Sequence, residues 1–254
     1  MAAPDEVAPE LLLPASRLPL DAMERELDGH LAAVADPDYA ALLHEFFDDP
    51  EFRRAFVRAP AAKSNHHAWV GGLLEHTVTM ARYARAFLDE ANVTLDASLL
   101  MTGVILHDAG KVHELSLGAA IEYSDRGRLL GHITIGVGMV AERAARLPGF
   151  PPEKTWLLQH LILSHHGRQE YGSPVLPAVP EALVLHHLDN LDAKSVAAAG
   201  VLESDPTPGH WTARSFMLDT CLYRGDSRPT TGSAPAGADI APAPATSAAP
   251  HGPS

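Results

Sequence analysis

Apolar residues recur every three to four positions through Met23, Leu27, Leu31 and Val34, which predicts a helix from Asp21, its N-cap, to about Val34. A second helix is predicted over Pro37–Phe47, and a shorter one through Phe52, Phe56 and Val57. From His66 to Asn92 the pattern reads as one long helix carrying Leu73, Leu74, Val78, Met80 and Phe87. Gly71-Gly72 inside it would cost about 1–2 kcal/mol of helix propensity, so close packing against another backbone is the expected reason. Next comes SLLMTGVIL (98–106), apolar on every side and capped by Asp96; it predicts a buried central helix that Gly110 stops. VHEL (112–115) and AIEYS (120–124), separated by SLGA, read as a small hairpin. Helices follow at about 128–146, 151–165 and 178–199, and WTARSFMLDTCLYR (211–224) is apolar enough to dock on them in a conformation the pattern does not choose.

The pattern gives an all-α fold with at most a small β-hairpin. Residues 1–20 read as a flexible lead-in, 21–60 as helices packing on the core, 61–200 as the core domain, and 201–227 as a docked extension. From 228 to 254 the chain collapses into Pro, Ala, Thr, Ser and Gly and is expected to be disordered. There is no internal repeat.

Composition narrows the class. The 254 residues are 46% hydrophobic and 20% charged, the range of a soluble globular protein. No apolar run approaches the roughly 18–20 residues of a membrane span. The first residues, MAAPDEVAPELLLP, carry acids where a signal peptide would carry Lys or Arg. The one cysteine, Cys221, rules out an internal disulfide framework and fits a reducing cytoplasm. A net charge of −13 argues against broad electrostatic binding of nucleic acid. Its distribution softens that: residues 1–60 hold 13 acids and 5 bases, and residues 61–224 hold 17 and 13. Two divalent cations would bring the middle region to about neutral, leaving room for a phosphate-bearing substrate.

The chemistry lies in a series of possible metal ligands: His76, His107-Asp108, His132, His165-His166 and Asp189. A divalent metal that activates water needs several fixed lone-pair donors and an open position. His76, the His107-Asp108 doublet and Asp189 can hold one ion. His132, His165 and His166 add nitrogens for a second, with Asp108 as the bridge. Two ions about 3.5–4 Å apart can hold a bridging hydroxide and polarise both sides of a phosphodiester. Nitrogen and oxygen donors without thiolate disfavour structural zinc, and this many histidines suit magnesium poorly, which leaves manganese, iron or cobalt. Lys111 is placed to neutralise a phosphate oxygen, and Arg126, Arg128 and Arg168 are further phosphate contacts, with Gly172 in the loop after the His pair. His66 and His67 are candidates for reaching a substrate. Asp192 shares a helix face with Asp189 and competes with it for the ligand role. The other histidines (30, 44, 113, 160, 186, 187, 210 and 251) carry the ordinary reading of surface or satisfied core residues, and Lys194 that of a solvated lysine.

With those residues in hand, the chain resembles the HD-domain metal-dependent phosphohydrolases, and more narrowly the YhaM-type 3′-5′ exoribonucleases. The resemblance runs over roughly residues 13–224 and rests on PAAKSNHHAWVGGLLEHT (60–77), GVILHDAGK (103–111), YSDRGRLLGHI (123–133), LILSHHGRQEYGSP (161–174) and LHHLDNLDAK (185–194). PGHWTARSFMLD (208–219) is similar to that family's ending. It implies an HD-domain helical bundle that removes nucleotides from single-stranded RNA 3′ ends, with manganese or cobalt as cofactor. It also implies His76, His107, Asp108, His132, His165, His166 and Asp189 as ligands and Lys111 as a phosphate contact. That family places an OB-fold before the HD region. Here LLLPASRLPLDAMEREL looks like the linker that would follow one, so the expectation is an HD region without it, suited to short oligonucleotides. Two other readings stand beside this one. HHGRQEYGSP is similar to the HD-GYP phosphodiesterases in placing a Gly-bearing loop after paired histidines but lacks their Gly-Tyr-Pro, so a hydrolase of cyclic dinucleotides or small nucleotides ranks second. A non-catalytic, metal-containing nucleotide or RNA sensor ranks third. The sequence leaves oligomeric state open.

Overall fold

Two Asp-Pro pairs set the first helical layer. In this computed structural model, which describes residues 13–16, 18–63 and 67–225, α1 (Leu20–Ala32) is followed by α2 (Pro37–Phe47) and α3 (Pro50–Arg58). Asp36 accepts hydrogen bonds from the Asp38 and Tyr39 amides, and Asp49 does the same for Glu51 and Phe52. A proline in each first turn fixes the helical φ where no amide partner is needed. The α2 bounds are those the pattern predicts. Asp21 does not cap α1: Pro19 holds that position, and Asp21 sits in the first turn, accepting from Arg25 at 2.9 Å. Phe46, Phe47, Phe52 and Phe56 then pack at centroid separations of 5.2–5.7 Å, mostly edge to face.

The long predicted helix from His66 starts later, as α4 (Gly72–Glu90). Gly71 has φ +81°, a left-handed conformation that suits glycine, and it is the N-cap rather than a helical residue. Gly72 lies so close to the His67 carbonyl that a Cβ there would sit 2.0 Å from its oxygen. The close approach expected of the glycine pair is therefore present, at the helix start instead of its interior. Asp96 caps α5 (Ala97–Leu106) through the Leu99 amide at 2.9 Å, and residues 99–106 are all buried, as the pattern predicts. Helices α4, α8 (Pro152–Ser164) and α9 (Pro180–Ser204) pack around α5, while α1–α3 cover α4, α5 and α7 (Asp125–Ala144).

The segment after α5 departs from expectation. Gly110 has φ −62° and is not a left-handed stop. A Cβ on it would meet the His132 carbonyl oxygen at 2.0 Å and the Gly136 amide nitrogen at 2.8 Å, so glycine is required there for contact with α7. Residues 111–114, read in part as strand, form a one-turn helix, α6 (Lys111–Glu114). The hairpin follows as β1 (Leu115–Leu117) and β2 (Ile121–Tyr123), antiparallel with Ser116 opposite Glu122. Helix α7 is broken at Gly131 (φ +69°, ψ 155°), which turns the chain just before His132.

Cross-links fix the helices relative to one another. The Arg143 guanidinium lies 4.5 Å from the Phe46 ring centre and reaches Asp49 at 3.0 Å, tying α7 to α2 and α3. Glu181 on α9 accepts from the Asp96 amide at 2.6 Å. The 211–224 segment forms bridges between Trp211 and Tyr223 and between Ser215 and Thr220, and Arg224 ties it to Asp205. Among the described residues no helix is long and apolar enough to cross a membrane. The predicted lead-in up to residue 12 and the tail from 226 lie outside the described residues, as does His66.

Candidate metal centre

Five helices deliver seven side chains to one point. His76 comes from α4, His107-Asp108 from the turn ending α5, His132 from just past the Gly131 break in α7, His165-His166 from the end of α8, and Asp189 from α9. His107 and His165 are the C-cap residues of their helices. The seven residues singled out in the sequence are brought together. His76 Nε2 lies 3.2 Å from His107 Nε2 and 3.3 Å from Asp189 Oδ1. His132, His165 and His166 form a second group whose ligand atoms lie within 4.8 Å of one another. Asp108 stands between the groups. Its Oδ2 faces His107 Nε2 at 3.4 Å and His76 Nε2 at 3.8 Å, and its Oδ1 faces His132 at 3.4 Å and His165 at 3.7 Å.

All five histidines are oriented alike. Nδ1–H of His107 donates to the Val104 carbonyl at 2.8 Å, and that of His165 to the Ile162 carbonyl at 2.7 Å. His166 Nδ1 meets the Tyr171 carbonyl at 2.8 Å, His76 Nδ1 the Asp192 carboxylate at 2.7 Å, and His132 Nδ1 the Glu114 carboxylate at 3.1 Å. Anchoring Nδ1 in this way orients each ring and turns every Nε2 inward. His107 is fully buried, and His76, Asp108 and His165 are at most 2% exposed. Asp108 Oδ1, His132 Nε2 and His165 Nε2 are buried with no hydrogen-bond partner. Leaving three such atoms unpaired costs roughly 1–3 kcal/mol each. A divalent cation would satisfy all three, and the donor set therefore fits one.

Electrostatics agree with that assignment. Burial alone would raise Asp108, but Lys111 and the surrounding histidines hold it well below the ordinary carboxylate range. Asp189 is likewise opposed by burial and lowered by His76, His107 and His165. Burial, with neighbouring His166 and His107, pushes His165 well below 6.5, and burial and His132 lower His166, so both are neutral donors near pH 7. Burial opposes a charge on His76 too, yet the Asp189 and Asp192 carboxylates push it up to about 10.

The other sequence candidates fall in different places. Lys111 lines the cleft, but its Nζ is 2.6 Å from Asp108 Oδ2. His67, expected to reach a substrate, is instead 2% exposed, with Nε2 3.0 Å from Asp192 Oδ2, and backs His76 without lining the cleft. Asp192 bridges those two histidines and meets His76 at Nδ1, whereas Asp189 meets it at Nε2; His67, His76 and Asp192 themselves form a buried group able to hold a cation. Arg128 is exposed, its guanidinium 6.0 Å from the Tyr123 ring centre. Arg168 is exposed and paired with Glu170 at 3.0 Å. Neither arginine lines the cleft. Glu114 was missed as an anchor because it sits in a segment read as strand, and the Tyr171 carbonyl carries no sequence signal at all. His186, given the ordinary reading, bonds the His165 carbonyl at 2.9 Å and lines the cleft with Tyr171, Asn190 and Met217. The cleft encloses about 220 Å³.

The family model described as the HD domain matches residues 73–194, the stretch from α4 to α9 that includes all seven of these side chains. Within that class its relatives are specific. Over 169 residues it is 47% identical to the 3′-5′ exoribonuclease YhaM of Bacillus licheniformis, covering 66% of this chain and 53% of that protein. The YhaM protein of Bacillus subtilis is 48% identical over 164 residues (65% and 51%), and that of a Geobacillus species 40% identical over 199 residues (78% and 60%). The chain thus spans a little over half the length of the curated relatives it matches. No solved structure matches it at a significant level.

Proposed function

We propose that this chain is a metal-dependent phosphodiesterase that removes nucleotides from the 3′ end of single-stranded RNA or short oligonucleotides. The observation that carries the reading is the carboxylate of Asp108 set between two groups of inward-facing Nε2 atoms. The similarity to 3′-5′ exoribonucleases named YhaM supports the proposed direction and substrate class. His76, His107, Asp108 and Asp189 would hold one cation, and Asp108, His132, His165 and His166 a second, with manganese, iron or cobalt suited to such donors. When bound, the cations supply an activated water at neutral pH and stabilise charge on the phosphoryl oxygens.

The chain's own groups do the rest. Lys111 keeps Asp108 ionised, and a phosphate approaching the cleft would meet the same ammonium group at its wall. Val104, Ile162, Tyr171, Glu114 and Asp192 hold the imidazoles, so the donors need no rearrangement. The small cleft favours a substrate end over a duplex interior. Its size also favours the second reading, a hydrolase of small nucleotides or cyclic dinucleotides.

The test is incubation with manganese and a 5′-labelled single-stranded oligoribonucleotide, beside a panel of nucleoside monophosphates and cyclic dinucleotides. Stepwise shortening of the labelled strand, lost in His107→Ala and Asp108→Ala, is the expected result. Turnover of the small nucleotides alone replaces the reading with the second. Bound metal without turnover of any phosphodiester leaves a sensor.

A further inference from the structure

We propose that the surface around the β1–β2 hairpin holds the single strand upstream of the bond being cut; this rests on the exoribonuclease reading above. The cleft at the metal centre is small, so all but the last nucleotides of a longer strand must lie outside it. One thickness of chain away there is somewhere for them to go. Ala61 and Lys111 line the cleft, while their neighbours Pro60 and Val112 line an open groove of about 420 Å³. Its other walls are Arg54 and Arg58 on α3 and Leu115 and Leu117 on β1.

On the adjoining strand β2, Tyr123 is 42% exposed. Lys63 Nζ lies 5.9 Å and Arg128 Cζ 6.0 Å from its centre. An exposed aromatic ring between cations is the arrangement on which bases stack while their phosphates are neutralised. Arg128 also precedes His132 by four residues on the same helix α7.

Charge supports the same occupant. Most arginines here are spent on carboxylates, among them Arg53, Arg82, Arg143 and Arg146. Arg54, Arg126 and Arg128 make no ion pair among the described residues, and all three flank the hairpin, on α3 and in the first turn of α7. Helix α7 packs on α6 and β2, and α3 packs on α6, so the elements that carry these arginines adjoin the hairpin. The carboxylates nearby are Glu51, Asp125 and Glu122, and Lys63 takes Glu122 at 2.6 Å. In a chain of net charge −13, this is a cationic surface against the overall trend. An acidic peptide would use the charge and leave the ring idle. A single-stranded nucleic acid uses both.

The experiment compares a 15-nucleotide oligoribonucleotide with a diribonucleotide, using the full chain. Binding of the fluorescein-labelled 15-mer is followed by anisotropy in EDTA, so that no strand is cut, across a salt series. Tyr123→Ala and the double variant Arg54→Gln/Arg126→Gln should each weaken binding about tenfold. The double variant should also flatten the salt slope by about 1.4, since each phosphate contact on a single strand contributes about 0.7. Tyr123→Phe and Arg54→Lys/Arg126→Lys should bind as the parent does, which separates loss of contact from loss of fold. With manganese added, the ratio of kcat/KM for the 15-mer over the diribonucleotide should fall about tenfold in the Ala and Gln variants. Unchanged 15-mer affinity in both variants overturns the proposal. So does displacement of the RNA by a 15-residue polyglutamate as readily as by unlabelled RNA. If the parent shortens neither substrate with manganese, the exoribonuclease reading fails, and the EDTA binding series still decides whether this face holds a strand.

Discussion

His76 is the residue whose protonation and metal binding are in direct competition. Its Nδ1–H is held by Asp192 and its Nε2 faces Asp189, so without metal it keeps a proton on each nitrogen up to about pH 10. That folded value lies above the ordinary 6.5. The charge therefore contributes stability to the metal-free protein that is complete below about pH 6.5 and lost as pH rises through 10. A cation held by Nε2 must displace one of those protons. His165 and His166 are shifted the other way and have no proton to give up near neutrality. Manganese affinity should therefore rise between pH 6.5 and 8.5, by up to about tenfold per pH unit if one proton leaves. Calorimetric titration at three pH values, in buffers of different ionisation enthalpy, measures both the slope and the proton count. A flat affinity with no proton release would remove His76 from the ligand set. The sequence made the inward-facing atoms legible because His and Asp in this order are chemically conspicuous. It hid the anchors: Glu114 and the carbonyls of Val104, Ile162 and Tyr171 become partners only through the fold. Asp192 was visible at its three-residue spacing from Asp189, but only the fold shows that it meets His76 at Nδ1 and Asp189 meets it at Nε2.

Elements whose ends are marked by local chemistry were readable, and those ended by tertiary contact were not. Asp36-Pro37 sets the start of α2 and Asp96 that of α5, each through a side chain bonding its own helix. The start of α4 depends instead on Gly72 meeting the His67 carbonyl, a contact across a loop that no spacing rule contains. Gly110 is the sharper case, since its φ of −62° is open to any residue and its requirement for glycine comes from α7 alone. Gly110→Ala should destabilise the protein by about 1–3 kcal/mol, the usual range for overpacking against groups that cannot yield. It should also weaken metal binding, because the backbone it displaces is that of His132. Denaturant unfolding of the metal-free protein gives the first quantity and metal titration the second. An alanine variant with parental stability would mean that α6 and α7 do not press together as described.

At the scale of the whole molecule, two of the helices that meet at the centre point the same way. Helices α5 and α8 finish at His107 and His165, so each presents its carbonyl end, the negative end of its dipole, to the point where Asp108 and Asp189 already sit. This alignment favours a cation by about 0.3–1 kcal/mol per helix and disfavours an anion by a similar amount. A consequence is an order of addition. A phosphate ester arriving at the metal-free protein meets two carboxylates and two carbonyl ends, which offset the Lys111 ammonium and the charged His76; arriving after the cations, it meets a site of net positive charge. Inorganic phosphate should therefore leave the melting temperature unchanged in EDTA and raise it once manganese is present. An equal shift in both conditions would show that phosphate binds away from this centre. The polarity of two helices, fixed before any ligand arrives, thus makes the cation the gatekeeper for the anion.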